Sequence, residues 1–310
     1  MTIPLPQGVL SIERMCALAG VSHAGYYRHW GLSAPRQEES AVRDAIQRLA
    51  LAHAHYGYRR IAAALRRQGF VANHKRVLRL MREDNLLCLK RRPFVPVTTQ
   101  SRHGWRVVPN LARGMEVTGL DQLWVADITY IRLIEEFAYL AVVLDAFSRR
   151  VVGWALETYL EARLATAALT MAIEARRPAP DSLIHHSDRG VQYACGDYTQ
   201  ILAAHGIQAS MSRIGNPYDN AKAESFMKTL KQEEVDGRNY RDADHARGAI
   251  GTFIEEVYNR QRLHSALAYR PPAEFEAQHP ASAAALSPGL GLPGMRKSTV
   301  MPHDHQQPTP

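Results

Sequence analysis

Three acidic residues of this chain stand where phosphodiester chemistry could use them. Asp127 lies in an otherwise apolar stretch, among Trp124, Val125, Ile128 and Tyr130. Asp188 closes the run SLIHHSD, two residues ahead of Gly190, and 35 residues separate it from Glu224. A charge inside an apolar strand is costly unless it is paired or binds a cation. Breaking a phosphodiester needs an activated oxygen nucleophile and a stabilised leaving oxygen, and two Mg²⁺ ions about 3.5–4 Å apart supply both. Mg²⁺ takes oxygen ligands and keeps several waters, so a few carboxylates plus the scissile phosphate suffice; Mn²⁺ is the expected substitute. Carboxylates packed together repel, so such a set is incomplete without its cations. Singly, each has a plainer explanation: an edge position for Asp127, a turn for Asp188, the helix dipole for Glu224. Their joint arrangement is what points to a metal site.

The elements that must position them follow from residue 121 onward. LWVADITYIRL reads as a strand with Trp124, Ala126, Ile128 and Tyr130 alternating, FAYLAVVLDAF as a fully buried strand, and RRVVGWAL as a third. A helix over 161–176, the short strand SLIHHSD, the helix DYTQILAAHG and the strand IQASMS come next. The loop RIGNPYDN then leads to the helix AKAESFMKTLKQEE, where Asp219 or Asn220 can cap the first turn that holds Glu224. A further helix is expected over 242–260. Asp145 is expected either near the site without being a ligand or in a purely structural role. His185 and His186 suit strand packing better than Mg²⁺ ligation, because that ion favours oxygen.

Ahead of this region the chain is basic. The formal charge is +8, yet residues 1–110 hold 18 Lys and Arg against 6 Asp and Glu, so the remainder is slightly acidic. A basic half suggests a polyanion-binding module. SIERMCALAGVSHAGYYRHW reads as helix, glycine turn, helix. A helix from about Ala41 to His53 follows, then one from Tyr58 that carries Arg59 and Arg60 and ends at Gly69. Asn73 can cap a third, in which Val77, Leu80 and Met81 form an apolar stripe and Lys75, Arg79 and Arg82 line another face. A cationic last helix in such a unit suits DNA contact; a merely solvated face is the plainer alternative. The expected division is a helix-turn-helix-like region over 1–88, a basic Pro-containing linker over 89–120, an α/β core over 121–278, and a disordered tail over 279–310.

Cys16, Cys88 and Cys195 are too scattered for a disulfide framework or a zinc site, which fits a reducing cytoplasm. The N-terminal stretch lacks the basic and apolar regions of a signal peptide. The longest apolar run, Phe137 to Leu144, is too short to cross a bilayer.

The order three strands, helix, strand, helix, strand, helix resembles a ribonuclease H-like core. The blocks WVADITYI (124–131), HHSDRGVQYA (185–194) and NPYDNAKAESFMKTLKQE (216–233) resemble the D, D and E blocks of insertion-sequence transposases. More narrowly they resemble the OrfB protein of the insertion-sequence-three family, a DDE transposase with a retroviral-integrase-like catalytic core. The likeness spans roughly residues 11–278 and includes HYGYRRIAAALRRQGF, KRVLRLMRE and the closing YNRQRLHSALAYRPPAEF. It implies water-driven cleavage that leaves a 3′-hydroxyl, then attack by that hydroxyl on another phosphodiester, with Asp127, Asp188 and Glu224 as catalytic metal ligands. It implies that Lys231 touches the DNA end, with Lys228 as a competitor whose plainer role is an ion pair with Glu224. Arg262 and His264 would contact DNA or brace the core. The implied partners are double-stranded DNA at transposon ends and target, further copies of the chain on that DNA, and an upstream-frame OrfA protein or a frameshift fusion with it. The implied location is the bacterial cytoplasm, at the nucleoid. The rival readings are an integrase-like recombinase or nuclease acting on other mobile DNA, and a non-catalytic repressor descended from a transposase.

Overall fold

The computed structural model describes residues 3–5, 8–27, 37–88, 108–213 and 220–279. The loop 214–219, with Asn216 and Asp219, lies outside the described residues, as do the tail 280–310 and most of the expected linker, 89–107.

The chain opens on a small antiparallel pair, β1 (Ile3–Leu5) and β2 (Gly8–Leu10), which the sequence does not foreshadow. Helix α1 (Ile12–Leu18) follows, with Ser11 accepting from the Arg14 amide as its N-cap. Three helices then pack around one core: α2 (Gln37–Ala52), α3 (Tyr58–Arg67) and α4 (His74–Glu83). In α2, Val42, Ala45, Ile46 and Leu49 recur at helical spacing and are all buried. Gly69 ends α3 with a φ of +85°, a left-handed conformation that suits glycine. Asn73 caps α4 by accepting from the Arg76 amide at 2.8 Å, and Val77, Leu80 and Met81 are fully buried. The sequence starts α2 at Ala41; the helix begins four residues earlier, at Gln37.

The larger unit is a five-stranded sheet in the order β5–β4–β3–β6–β7. Its strands are β3 (Leu123–Arg132), β4 (Phe137–Asp145), β5 (Val151–Glu157), β6 (Ile184–Ser187) and β7 (Gln208–Met211). The first three form an antiparallel meander, and β6 and β7 run parallel to β3. Helix α5 (Ala162–Arg176), the short α6 (Val191–Ala194) and α7 (Gly196–Ala204) cover one face. The other face is covered by α8 (Ala221–Leu230), which continues into a π-helical turn over Lys231–Val235, and by α9 (Ala243–Thr252), which continues as a π-helix over Phe253–Gln261. Helix α10 (Pro272–Gln278) closes the described chain. Because both faces are covered, Val125 is as buried as Trp124 and Ala126, and the alternation expected in β3 is not an in-and-out pattern. Gly153 permits the close approach of β5 to α5: a Cβ there would stand 2.1 Å from the Ala168 carbonyl oxygen.

The two units meet along the segment between the π-helix and α10. Leu263 enters the core of the helical unit. Its amide donates to the Tyr56 hydroxyl at 2.9 Å, and its carbonyl accepts from Arg60 Nε at 3.1 Å. Arg67 forms a two-pronged pair with Glu274 at 3.0 and 2.6 Å. Glu276 of α10 gathers Ser148, Arg150 and Arg176 from the sheet unit. No helix among the described residues is long and apolar enough to cross a membrane.

Candidate active site

The parallel pairing of β3 with β6 runs to Val125 opposite His186. Asp127 and Asp188 each lie two residues beyond that last pair, so the strand register delivers the two carboxylates side by side where β6 ends. Asp127 accepts from the Ile128 amide at 2.9 Å, and Asp188 accepts from the Gly190 amide at 2.9 Å. Burial, and then the neighbouring Asp188, push the Asp127 carboxyl up to about 7, with Glu224 adding to the rise and Lys231 opposing it. Asp127 keeps part of its surface open to solvent.

Glu224 occupies the first turn of α8 and is exposed, and burial raises its carboxyl above the ordinary range. It acts on Asp127 electrostatically. Among the described residues, no three His, Cys, Asp or Glu side chains converge closely enough to enclose an ion. The fold therefore assembles the Asp127–Asp188 pair and holds Glu224 nearby, outside it.

The start of α8 is fixed by a contact that the sequence suggests only in part. Asn220 does not cap the helix with its side chain. Its Nδ2 instead donates to the Ala126 carbonyl oxygen at 2.9 Å, which ties the helix to β3 one residue from Asp127. Lys231 leaves the end of α8 over the Tyr130 ring, with Nζ 4.2 Å from its centroid. Burial lowers its ammonium pKa, against the pull of Asp236 and Asp127. Lys228 is exposed, and no ion pair joins it to Glu224 among the described residues.

Beneath the pair, His185 is hydrogen-bonded to the Tyr198 hydroxyl at 3.0 Å, and burial drives its imidazole down to about 3. His186 is held between Ser210 at 2.8 Å and Ser212 at 2.9 Å. Both are buried strand residues. Asp145 is a turn-former: it accepts from the amides of Ser148 at 2.7 Å, Phe147 at 3.0 Å and Asp121 at 2.8 Å.

The basic residues divide. Lys75 and Arg82 are exposed on α4. Arg79 shares that face but pairs with Glu39 at 2.7 Å and Glu83 at 2.9 Å. Arg59 is exposed beside the Tyr58 ring. Two of the residues expected at DNA also have partners within the chain. Arg262 is 5% exposed and forks onto Glu233 through Nε and Nη2, the shortest contact being 2.7 Å. Arg60 spends its Nε on the Leu263 carbonyl. Both guanidiniums brace the junction between the two units, and His264 is buried beside them, its imidazole pushed down to about 3 by burial and then by Arg262.

Comparison with known proteins gives the family context. The family described as "Integrase core domain" matches residues 118–217, a second family of the same description matches 205–272, and "HTH-like domain" matches 36–94. The chain is 38% identical over 270 residues to an uncharacterised 31 kDa protein of insertion element IS600 from Shigella sonnei, covering 86% of this chain and 98% of that protein. It is 37% identical over 277 residues to transposase InsF of insertion sequence IS3A from Escherichia coli K12, covering 87% of this chain and 95% of the relative. Among solved structures, the HTLV-2 integrase catalytic core domain in complex with magnesium matches with a TM-score of 0.38 and 17% identity, over 51% of this chain and 98% of that one.

Proposed function

Since the chain belongs to the IS3 family of insertion-sequence transposases, we propose that Asp127, Asp188 and Glu224 are its catalytic carboxylates. The family makes it a polynucleotidyl transferase with an integrase catalytic core that cuts and rejoins DNA strands. The observation that carries the residue assignment is the Asp127–Asp188 pair where β6 ends, with a carboxyl raised to about 7 and Glu224 within electrostatic reach.

The donor set fits Mg²⁺ or Mn²⁺, because all three side chains offer oxygen and the raised Asp127 carboxyl lacks the positive charge that would return it to the ordinary range. Asp127 and Asp188 would hold the ions, and Glu224 would complete the shell. Two such ions would lower the pKa of the attacking water and neutralise charge at the phosphate and leaving oxygen. The protein's own part is orientation. Ile128 and Gly190 amides fix one oxygen of each aspartate, and Asn220 holds the start of α8 against β3. Lys231, anchored over Tyr130, would meet a phosphate of the DNA end. Residues 1–88 act as the DNA-binding region, with Lys75, Arg82 and Arg59 on its exposed faces. The active form is a homo-oligomer on DNA, partnered by an upstream-frame OrfA protein or fused to it.

The test is a labelled end-sequence duplex incubated with purified protein and Mg²⁺, with the upstream-frame protein supplied in parallel reactions. Glu224→Gln keeps the shape of the side chain and removes its charge, so both 3′-end cleavage and strand transfer should be lost while the fold survives. A folded Glu224→Gln protein that cleaves at the wild-type rate refutes the assignment.

A further inference from the structure

Tyr193 follows Asp188 by five residues, in the short helix α6. Its ring is 3% exposed and packs edge-on against Tyr198, with centroids 5.4 Å apart. Its hydroxyl is shielded from solvent and has no hydrogen-bond partner among the described residues. Buried hydroxyls almost always find a partner, and one that does not carries the full cost of its desolvation. The neighbouring Tyr198 sharpens the contrast, since its hydroxyl is satisfied by His185.

The orphaned hydroxyl is within electrostatic reach of the carboxylate pair, and its ring stands close to the turn that carries Asp188. A Cβ on Gly190 would stand 3.0 Å from Oδ1 of Asp188 and 3.6 Å from Cδ2 of Tyr193, so the ring and the carboxylate flank the same point of backbone. Both Asp188 and Asp127 act electrostatically on the phenol. One oxygen of Asp188 is engaged by the Gly190 amide. Metal-ligating carboxylates are themselves hydrogen-bonded, and these outer contacts set ligand orientation and affinity.

We propose that Tyr193 is a positioning residue of the candidate metal site: when a divalent ion seats on the aspartate pair, the Tyr193 hydroxyl donates to the Asp188 carboxylate and holds it in its ligating orientation. The inference rests on the reading of Asp127 and Asp188 as metal ligands. It explains why an O–H is kept in an aromatic layer where phenylalanine would fill the same space. The donor is idle without the ion and satisfied with it.

Three full-length proteins test this: wild type, Tyr193→Phe and Asp188→Asn. Each is melted without metal and titrated with Mn²⁺ by calorimetry. Tyr193→Phe keeps the ring against Tyr198 and deletes only the donor. Without metal it should melt at the wild-type temperature or up to about 4 °C higher, because an unsatisfied group has gone. Its Mn²⁺ affinity should fall by about 10–100-fold. Cleavage should recover at raised Mn²⁺ toward the wild-type maximal rate, a split that general loosening of the fold would not produce. Wild-type affinity in Tyr193→Phe, with binding lost in Asp188→Asn, overturns the inference and leaves the metal site standing. A metal-free Tyr193→Phe that melts several degrees lower also overturns it, since the hydroxyl must then already have a partner. Undiminished Mn²⁺ binding by Asp188→Asn sinks the metal-site reading itself, and this inference with it.

Discussion

Asp127→Asn should stabilise the metal-free protein, and the gain should depend on pH in a defined way. Burial and the adjacent Asp188 raise the Asp127 carboxyl from 3.8 to about 7. A shift of about three units at about 1.4 kcal/mol each sets an upper limit of about 4 kcal/mol on the cost of ionising this group in the fold. Residual solvent exposure and the polarity of asparagine reduce the expected gain to about 2–3 kcal/mol, which for a domain of this size is roughly 4–12 °C in Tm. The sign follows from linkage. A carboxyl whose folded pKa is raised favours the fold fully below its unfolded pKa, near 4. That contribution is lost as pH rises through the folded value, near 7. Asp127→Asn and wild type should therefore melt nearly together at pH 4, and the variant should gain steadily to a plateau above pH 7. The assay is thermal unfolding of both proteins from pH 4 to 8.5 in chelator. Saturating Mg²⁺ should then stabilise wild type more than the variant, because binding to the folded state alone raises stability by mass action. A gain that is absent at pH 8, or one that is the same at every pH, refutes the account of Asp127 as a carboxylate strained by burial and by its neighbour.

Three further expectations concern the cations. Glu233→Gln leaves the buried Arg262 guanidinium without its counter-charge and should cost about 3 kcal/mol in urea unfolding, whereas Arg262→Met with Glu233→Leu should recover most of it; a single-variant cost below about 1 kcal/mol counts against the brace. Lys75→Ala with Arg82→Ala should weaken duplex binding and reduce the slope of log affinity against log salt by about 2, while Arg79→Ala should chiefly lower stability because its partners are Glu39 and Glu83; an unchanged slope in the double variant marks those side chains as a solvated face. Lys231→Ala should impair strand transfer with Mn²⁺ affinity near wild type, and Lys228→Ala should do less; equal losses from the two break the assignment of the DNA-end contact to Lys231.

The strands were legible because a sheet covered on both faces writes itself as apolar runs, and FAYLAVVLD is such a run. The helix ends of the basic unit were legible because Gly69 and Asn73 do what their residue types favour. Asn220 shows the limit of that logic. An asparagine ahead of a helix suits a cap, yet an amide that can donate as well as accept can equally reach across to a strand carbonyl, and here it does. The β1–β2 pair left no periodic signal, since three residues per strand are too few to alternate.

The division of the arginines was out of reach for a different reason. Charge pattern along a helix tells which residues share a face, and on that basis Arg60 reads as one more cation of its helix, while for Arg262 the sequence leaves DNA contact and a brace of the core both open. What decides their role is a contact between residues 203 positions apart, where Leu263 leaves its own unit to fill the core of the other. Once Leu263 is buried there, its amide and carbonyl need partners, and Tyr56 and Arg60 provide them. Arg262, drawn inward beside it, needs a carboxylate, and Glu233 in the π-helical turn supplies one. Glu233 is two residues from Lys231, so the brace that joins the helical unit to the sheet unit ends close in sequence to the lysine that lies over Tyr130. Both arginines of the junction thus serve contacts within the chain, Arg60 with the Leu263 carbonyl and Arg262 with the Glu233 carboxylate.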